Sequence, residues 1–326
     1  MSYHCPSQVI VEAGGLKRLS QLTSGYDTVT CVTDEGLLRD YRGQLESLLS
    51  VTPNWVKVSD DPEAHTPGGI NGVVIGFGGG RSIDTAKLIA TATGLDWISI
   101  PTAASHDGIA SEVASVSHNG FKYSKKCKTP IAVVADLDII SRAPPRLNLA
   151  GVGDILCKAS SLSEWRFAYE NFGESFNEDA YRVTENALNS VLTDGSLEVL
   201  VRAEIDAGRA MCIAGSSRPC SGTEHSISHA MERRNHDLHG MQVIFATPLC
   251  LHYLEERGYA IQSQESIHKL MESRGLPTSL KAMSMTPGLF YEYIVHALDL
   301  MERRERHSIL AGVDKASLMR TIRTLY

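Results

Sequence analysis

The feature that most constrains this chain is a glycine-rich run that joins an apolar strand pattern to a helical pattern. The run extends from Gly76 to Lys87 and directly follows Val73-Val74-Ile75. Its three consecutive glycines, Gly78 to Gly80, leave backbone N–H groups accessible at the start of a helix, where the helix dipole favours an anion. The run therefore predicts a strand, a turn and a helix that bind the pyrophosphate of a dinucleotide.

The spacing of these glycines differs from that of two common phosphate-binding motifs. It matches neither G-x-G-x-x-G nor G-x-x-x-x-G-K-[ST], so the mode of binding in those motifs is not carried over. A tight turn whose glycines only allow the helix to pack closely on the strand is the structural alternative.

Composition restricts the class of protein. With 326 residues and 43% hydrophobic content, the chain exceeds the size at which one core usually divides, which favours two domains. A net charge of -7 argues against a nucleic-acid or anionic membrane partner, because both need a concentrated positive field. A small substrate is therefore expected.

Location and redox state are also predicted from the sequence. No run approaches the roughly 18 apolar residues of a membrane span, and no charged start followed by an apolar block opens the chain. We therefore expect a cytoplasmic protein. Its seven cysteines contain no C-x-x-C pair and are interpreted as reduced thiols that mostly pack in the core.

The first part of the chain alternates β-branched runs with helical patterns, which predicts a mainly parallel sheet covered by helices. Residues Val113 to Tyr123 alternate around Asn119-Gly120 and predict a separate β-hairpin. The predicted strands of the sheet are Val9 to Glu12, Thr28 to Thr33, Trp55 to Val58, Val73 to Phe77, Trp97 to Ile100 and Ile131 to Ala135.

The pattern changes after the double proline Pro144-Pro145. From Leu147 to Tyr326 the periodicity is helical, and glycines and prolines punctuate successive helices. The sequence therefore predicts an α/β domain over residues 1–144 and an all-α domain over residues 145–326.

The helical part contains a candidate metal site. His225 and His229 are four residues apart, so both imidazoles project from one face of a helix, and His239 can approach from the next segment. With Asp154 they make an Asp/His/His set conceivable, and three protein ligands with an open position are typical of a catalytic zinc. Histidines that only pack in the core or lie on the surface are the alternative.

Several motifs together resemble the sn-glycerol-1-phosphate dehydrogenase family, in the superfamily of iron-dependent alcohol dehydrogenases, glycerol dehydrogenase and 3-dehydroquinate synthase. The resemblance extends from about Pro6 to about His252 in the same order along both halves. Its motifs are Gly-Gly-Gly-x-x-x-Asp-x-x-Lys, the segment Pro101 to Ser111, Gly153-Asp154-x-x-x-Lys158, Glu164-Trp165-Arg166, Ser217-Arg218-Pro-x-Ser221-Gly222-x-Glu224-His225 and His239-Gly240.

The resemblance implies a Rossmann-like domain for NAD(H) or NADP(H), followed by a helical domain with one divalent metal, in a dehydroquinate synthase-like architecture with the active site in the cleft between the domains. It implies Asp154, His225 and His239 as metal ligands. Iron alcohol dehydrogenases have a fourth ligand, a histidine, where this chain has Lys158, so zinc is expected, although nickel and iron can use such ligands. Asp154 also weakens the dehydroquinate synthase alternative, which has glutamate there.

The same resemblance places the cofactor on Gly78, Gly79 and Gly80, with Ser82 beside them. Thr102 and Ser105 follow a parallel strand at its carboxyl end, where open α/β sheets bind ligands. Asp84 is predicted either to contact the cofactor or, as we favour, to fix the loop through nearby N–H groups.

Asp34 bears on the choice between NADH and NADPH. It follows the strand Thr28 to Thr33, where a carboxylate accepts a hydrogen bond from the adenosine ribose and repels a 2′-phosphate, which favours NADH. Arg39 or Arg42 leaves NADPH open as the alternative.

The implied reaction is hydride transfer to C2 of dihydroxyacetone phosphate, which gives sn-glycerol 1-phosphate. A metal-bound water or His229 is the candidate proton relay. Asp107 is the candidate that orients a substrate hydroxyl, unless it only forms a turn with Gly108. Arg218 and Lys158, with hydroxyls from Ser221 and Ser111, are the candidates for the substrate phosphate. Alternatively, Arg218 caps a helix or pairs with the Glu224 carboxylate.

Other functions on the same scaffold are a dehydrogenase of another polyol or phosphorylated substrate, a dehydroquinate-synthase-like cyclase, or a non-catalytic nucleotide sensor. Met241 stands where relatives usually have glutamate, which makes a shifted substrate more credible. A homo-oligomer is compatible with this sequence.

Overall fold

The computed structural model describes residues 6–58, 70–118, 121–234 and 237–326. The chain forms two compact units, one of residues 1–148 with 195–212 and one of residues 149–194 with 213–326. The domain boundary predicted between residues 144 and 145 coincides with the start of a helix, Pro145–Leu156. Within the described ranges, none of the helices is both long and apolar enough to cross a bilayer.

Strands and helices alternate through the first unit, and helices follow one another through the second. The strands are β1 (Gln8–Glu12), β2 (Val29–Thr33), β3 (Asn54–Lys57), β4 (Val73–Gly78), β5 (Asp96–Pro101), β6 (Val113–His118), β7 (Phe121–Lys126) and β8 (Ala132–Asp136). The helices are α1 (Leu19–Thr23), α2 (Glu35–Leu48), α3 (Gly80–Thr93), α4 (Leu137–Ile140), α5 (Pro145–Leu156), α6 (Lys158–Phe172), α7 (Glu178–Thr193), α8 (Leu197–Ala214), α9 (Thr223–Met231), α10 (His239–Glu256), α11 (Gln264–Arg274), α12 (Pro287–Arg303) and α13 (Lys315–Leu325).

Six strands of the first unit form one sheet in the order β1-β8-β5-β4-β2-β3, and every neighbouring pair is parallel. Strands β2, β4 and β8 are buried along their whole length, which explains their nearly continuous apolar sequences. Both the parallel sheet and the strands predicted for it are confirmed.

The two faces of this sheet carry separate hydrophobic clusters. One cluster includes Leu16, Phe77 and Val134, and the other includes Val74, Ile83 and Trp97. The alternate residues of β4 therefore point into different cores, as expected for a strand covered by helices on both sides.

The predicted hairpin is present as the antiparallel pair of β6 and β7. Its turn, predicted at Asn119-Gly120, lies outside the described residues. The buried carboxylate of Asp136, the last residue of β8, joins this strand to the segment that follows β1. It accepts hydrogen bonds from the backbone N–H groups of Gly14, Leu16 and Asp138.

The second unit is helical throughout its described residues, which confirms the predicted class. Polar residues cap several of its helices, since the side chains of Asn177, Ser263, Thr286 and Asp314 accept hydrogen bonds from backbone N–H groups in the first turns. The six cysteines within the described ranges are buried free thiols, in agreement with the prediction for them.

Close packing of α3 on β4 depends on Gly76. A Cβ atom at this position would lie 2.9 Å from the Cβ of Ala86. We expect Gly76→Ala to lower the free energy of unfolding by about 1–3 kcal/mol, because the helix must move away from the strand. Urea denaturation followed by circular dichroism measures this change.

Gly43 on α2 is the matched control, since a Cβ there meets nothing within 4 Å. Gly43→Ala should instead stabilise the protein by about 0.5–1 kcal/mol, because glycine is unfavourable in an exposed helix. Equal free energies of unfolding for Gly76→Ala and the wild type would contradict the account.

Candidate functional site

In the first unit, three predicted cofactor residues lie at one edge of the sheet. Asp34 follows β2, Gly79 follows β4 and Thr102 follows β5, so all three stand at the carboxyl ends of adjacent parallel strands. The backbone N–H of Thr102 donates to the carbonyl of Gly78 at 3.1 Å, which fixes the two turns against each other. This edge is where open α/β sheets bind ligands.

The triple glycine forms the turn into α3. Gly78 has φ of 150°, a region that favours glycine, and Gly79 is the N-cap residue, with no side-chain hydrogen bond to the helix. A Cβ at Gly78 would lie 2.5 Å from Oγ of the buried Ser82. The first N–H groups of α3 are therefore not used by a capping side chain, as an anion-binding helix terminus requires.

The sequence reasoning missed His106. Its ring covers Gly80, because a Cβ there would clash with the imidazole Nε2 atom, and its Nδ1 accepts the Gly108 N–H at 2.8 Å. The sequence signal for this contact is Gly80, because any side chain at that position would clash with the imidazole ring of His106.

Asp84 makes hydrogen bonds within its own unit, and its alternative contact with the cofactor stays a prediction. Its Oδ2 accepts the Ser115 N–H at 3.1 Å, and its Oδ1 lies 3.3 Å from Nζ of the fully buried Lys87. These bonds agree with the loop-fixing role that the sequence favoured for Asp84.

Lys87 fixes the loop that contains the Ser-His-Asp-Gly motif. Its ammonium donates to the carbonyls of Gly108 at 2.6 Å and Val113 at 2.7 Å. Ser111 is buried and its hydroxyl donates to the carbonyl of Val113, while its contact with the substrate phosphate stays a prediction. Ser105 and Asp107 lie in the same loop, where Asp107 begins a short turn, Asp107–Ile109.

Asp34 is the N-cap residue of α2, and its Oδ1 accepts the Leu37 N–H at 2.9 Å. This bond fixes the carboxylate at the end of β2. Its predicted contact with an adenosine ribose stays a prediction.

In the second unit, a close crossing of α5 and α10 brings two predicted metal ligands together. A Cβ at Gly153 would lie 2.5 Å from the carbonyl oxygen of Gly240, and a Cβ at Gly240 would clash with the carbonyl of Ala150. Asp154 and His239 are the neighbours of these glycines. The glycines are therefore required for the two ligands to meet.

The structure brings Asp154, His225 and His239 together. One donor atom from each lies within 4.8 Å of the others. Asp154 Oδ1 is 3.6 Å from His225 Nε2 and 4.0 Å from His239 Nε2. Separations of this size allow one divalent cation to contact all three atoms.

A buried carboxylate sets the tautomer of His225. Its Nδ1 lies 2.9 Å from Oε1 of Glu224, which is fully buried and also accepts the N–H of Gly222 and the hydroxyl of Ser160. An ionised carboxylate can only accept, so Nδ1 carries the hydrogen and Nε2 is directed at Asp154. This is the carboxylate–histidine arrangement found behind metal ligands.

A hydrogen-bonded chain sets the tautomer of His239. The Gln242 amide donates to the carbonyl of Asp237 at 2.9 Å, which orients it, and its oxygen accepts the Ser228 hydroxyl at 2.7 Å. Ser228 Oγ, 3.1 Å from His239 Nδ1, is then left to accept. His239 therefore also directs an unprotonated Nε2 towards Asp154.

The electrostatics of this cluster favour positive charge. Burial alone would raise the pKa of Asp154, but Lys158 and the two imidazoles outweigh burial and hold that pKa well below its usual range. Burial alone would lower the pKa of His225, but Cys157, Asp154 and Glu224 raise it well above its usual range. A divalent cation bound to this cluster would supply the positive charge that the carboxylates of Asp154 and Glu224 favour.

A second donor set shares one residue with the first. Cys157, Glu224 and His225 also bring one donor atom each within 4.8 Å. Burial raises the pKa of the Cys157 thiol, and Nδ1 of His225 is already used by Glu224. Since metal ligation by cysteine requires the thiolate, the Asp/His/His set fits a divalent cation better.

Arg218 and Lys158 were predicted to bind the substrate phosphate, and the structure gives both other partners. The buried guanidinium of Arg218 donates to Glu164 and Glu174 and to the carbonyl of His307. The fully buried ammonium of Lys158 lies 3.4 Å from Asp154. These acceptors balance both charges, and the contacts of Arg218 and Lys158 with the substrate phosphate stay predictions.

The remaining predicted residues lie beside the cluster. The His229 ring is 6.3 Å from the His239 ring, with its Nδ1 buried and without a partner in the described part of the chain. Burial lowers the pKa of His229 to about 3. Ser221 is half-buried in the turn before α9.

Comparisons with known proteins identify the family. Residues 17–144 match the model of the iron-containing alcohol dehydrogenase family. The glycerol-1-phosphate dehydrogenase [NAD(P)+] of Pyrobaculum arsenaticum is 33% identical over 343 residues, which cover 99% of this chain and 97% of that protein. The Hyperthermus butylicus protein of the same name is 37% identical over 267 residues, or 78% and 72% of the two chains.

The chain belongs to the glycerol-1-phosphate dehydrogenase family. The family indicated by the sequence motifs is thus confirmed. The crystal structure of a probable glycerol dehydrogenase from Sinorhizobium meliloti 1021 has the same fold, with a TM-score of 0.78 and 21% identity over 99% of this chain and 97% of that one.

We expect His225→Ala to lose bound zinc while the protein stays folded, because the variant removes one of three donors without altering α9. Metal content after dialysis, with circular dichroism as the test of folding, measures this outcome. His252→Ala is the control, since His252 lies half-buried on α10 beside Glu256. Undiminished zinc in His225→Ala would refute the assignment.

We expect Ser228→Ala to weaken zinc affinity by about 10- to 100-fold, because His239 loses the acceptor that sets its tautomer. Competition with a chromogenic chelator measures the change. Ser226→Ala on the same helix is the matched control, since its hydroxyl makes no hydrogen bond to any described residue. Equal affinities for the two variants would show that the Ser228 contact does not orient the ligand.

Proposed function

We propose that this protein is a metal-dependent oxidoreductase that reduces dihydroxyacetone phosphate to sn-glycerol 1-phosphate with NADH or NADPH. The observation that carries the proposal is the convergence of Asp154 Oδ1 with the Nε2 atoms of His225 and His239, each imidazole having its Nδ1 hydrogen already used. Family membership supports the substrate, since relatives 33–38% identical carry the name glycerol-1-phosphate dehydrogenase [NAD(P)+]. Zinc is the proposed metal.

Each unit contributes a different part of the proposed reaction. When bound, a divalent cation polarises a carbonyl group, and a reduced nicotinamide supplies a hydride. Asp154, His225 and His239 would hold the cation, while Glu224 and Ser228 keep the two imidazoles in the ligating tautomer. His229 is the proposed proton relay to the product oxygen.

The first unit is proposed to bind the cofactor. The uncapped N–H groups at Gly79 and Gly80 would receive the pyrophosphate, and Gly78, Ser82, Thr102 and Ser105 would line the same turn. Asp34 would accept a hydrogen bond from the adenosine ribose and so favour NADH. Asp107 is proposed to orient a substrate hydroxyl, and Ser221 to contact the phosphorylated substrate.

We expect the zinc-loaded protein to oxidise NADH when dihydroxyacetone phosphate is supplied, and chelator treatment to abolish this turnover until zinc is restored. The fall in absorbance of the reduced nicotinamide measures the rate, and chiral analysis identifies which enantiomer of glycerol phosphate is formed. Unphosphorylated dihydroxyacetone and a dehydroquinate-synthase substrate are the parallel controls. Turnover that persists after complete metal removal would contradict the proposal.

A further inference from the structure

Two arginines of the second unit are half-buried and take part in no ion pair with the described residues. Arg304 follows the last residue of α12, and Arg306 lies two residues further on. Neither guanidinium forms an ion pair with a carboxylate in the described residues. A partly buried guanidinium without a carboxylate at ion-pair distance is unfavourable, so an anion is the expected partner.

The turn between the two arginines is strained. The N–H of Arg306 donates to the carbonyl of Met301, and the N–H of Glu305 donates to that of Glu302, which is the Schellman pattern of a helix end. Glu305 occupies the position where such turns normally have glycine, with φ of 54°. Strain of this kind persists where the surrounding structure needs the conformation, often at a ligand site.

A hydroxyl group, that of Ser217, lies beside the guanidinium of Arg306. The Arg306 Nη2 donates to Ser217 Oγ at 3.1 Å, so the serine oxygen accepts and its own hydrogen is free to point elsewhere. Ser217 begins the turn that leads into α9, the helix of His225 and His229. Two guanidinium groups and a hydroxyl are the donors that phosphate recognition favours.

We propose that Arg304, Arg306 and Ser217 bind the phosphate group of the substrate. This inference rests on the proposed function and gives the substrate phosphate binding residues other than Arg218 and Lys158, for which the sequence predicts that contact. The chemical class of the ligand is a phosphomonoester dianion.

The charges around the group agree with this assignment. Burial and the neighbouring charges of Arg218 and Arg304 together lower the pKa of Arg306 to about 10, although the carboxylates of Glu174 and Glu164 act in the opposite direction. Arg304 also lies near enough to contribute to the lowered pKa of His229, whose ring stands beside the metal ligand His239. A phosphate bound by Arg304 would therefore lie near His229, beside the proposed metal ligand His239.

Arg304→Gln tests the proposal in the zinc-loaded protein. We expect its KM for dihydroxyacetone phosphate to rise about 10- to 100-fold, because a hydrogen bond to a charged group is lost. The KM for NADPH and the kcat/KM for unphosphorylated dihydroxyacetone should not change, which separates the substrate phosphate from the cofactor phosphate. Arg306→Lys should show a smaller rise, since lysine keeps the charge without the planar fork.

Arg303→Gln is the matched control, because Arg303 is exposed on the last turn of α12 and pairs with Asp299. Calorimetric titration with inorganic phosphate gives a readout that is independent of turnover, and thermal unfolding tests folding. If the wild type binds phosphate through Arg304 but does not reduce dihydroxyacetone phosphate, the proposed function fails and the phosphate site stands. Phosphate affinity and KM in Arg304→Gln within about twofold of Arg303→Gln would overturn the inference.

Discussion

The close backbone crossing of α5 and α10 is the constraint on which the candidate metal site depends. It requires glycine at both Gly153 and Gly240, because a side chain on either would meet main-chain atoms of the other helix. The residues beside these glycines, Asp154 and His239, meet only because the crossing is this close. Helix α9 then adds His225 from a third direction.

Hydrogen bonds to the Nδ1 atoms of His225 and His239 fix which nitrogen each imidazole presents to a metal. Glu224 accepts from His225, and Ser228 accepts from His239 because Gln242 has already taken the serine hydrogen. Each contact excludes one of two tautomers. The chain therefore specifies both the positions of the imidazoles and the nitrogen that each presents, which is what metal affinity requires.

Much of the fold and part of the site could be predicted from the sequence, since local patterns carry this information. Period-two and β-branched runs marked the strands of the sheet, helical periodicity marked the second unit, and the triple glycine marked the turn into α3. The spacing of His225, with Asp154 and His239 from the family motif, identified residues that the structure brings together. Each of these signals lies within a few consecutive residues or in a recognised motif.

The contacts that the sequence did not predict involve partners distant in sequence. The guanidinium of Arg218, for which a phosphate contact is predicted, donates to Glu174 and to the carbonyl of His307. The hydroxyl of Ser111, also predicted to contact the phosphate, is hydrogen-bonded to Lys87 and Val113. Conversely, Arg304 and Arg306 belong to no motif, and only the fold shows that they are half-buried without an ion pair to any carboxylate of the described residues.

X-ray absorption at the zinc edge tests the central claim most directly, because it distinguishes the two donor sets that share His225. Asp154, His225 and His239 predict a first shell of nitrogen and oxygen at about 2.0–2.2 Å, with imidazole scattering and no sulfur. A zinc–sulfur distance of about 2.3 Å would place the ion on Cys157 and contradict the account.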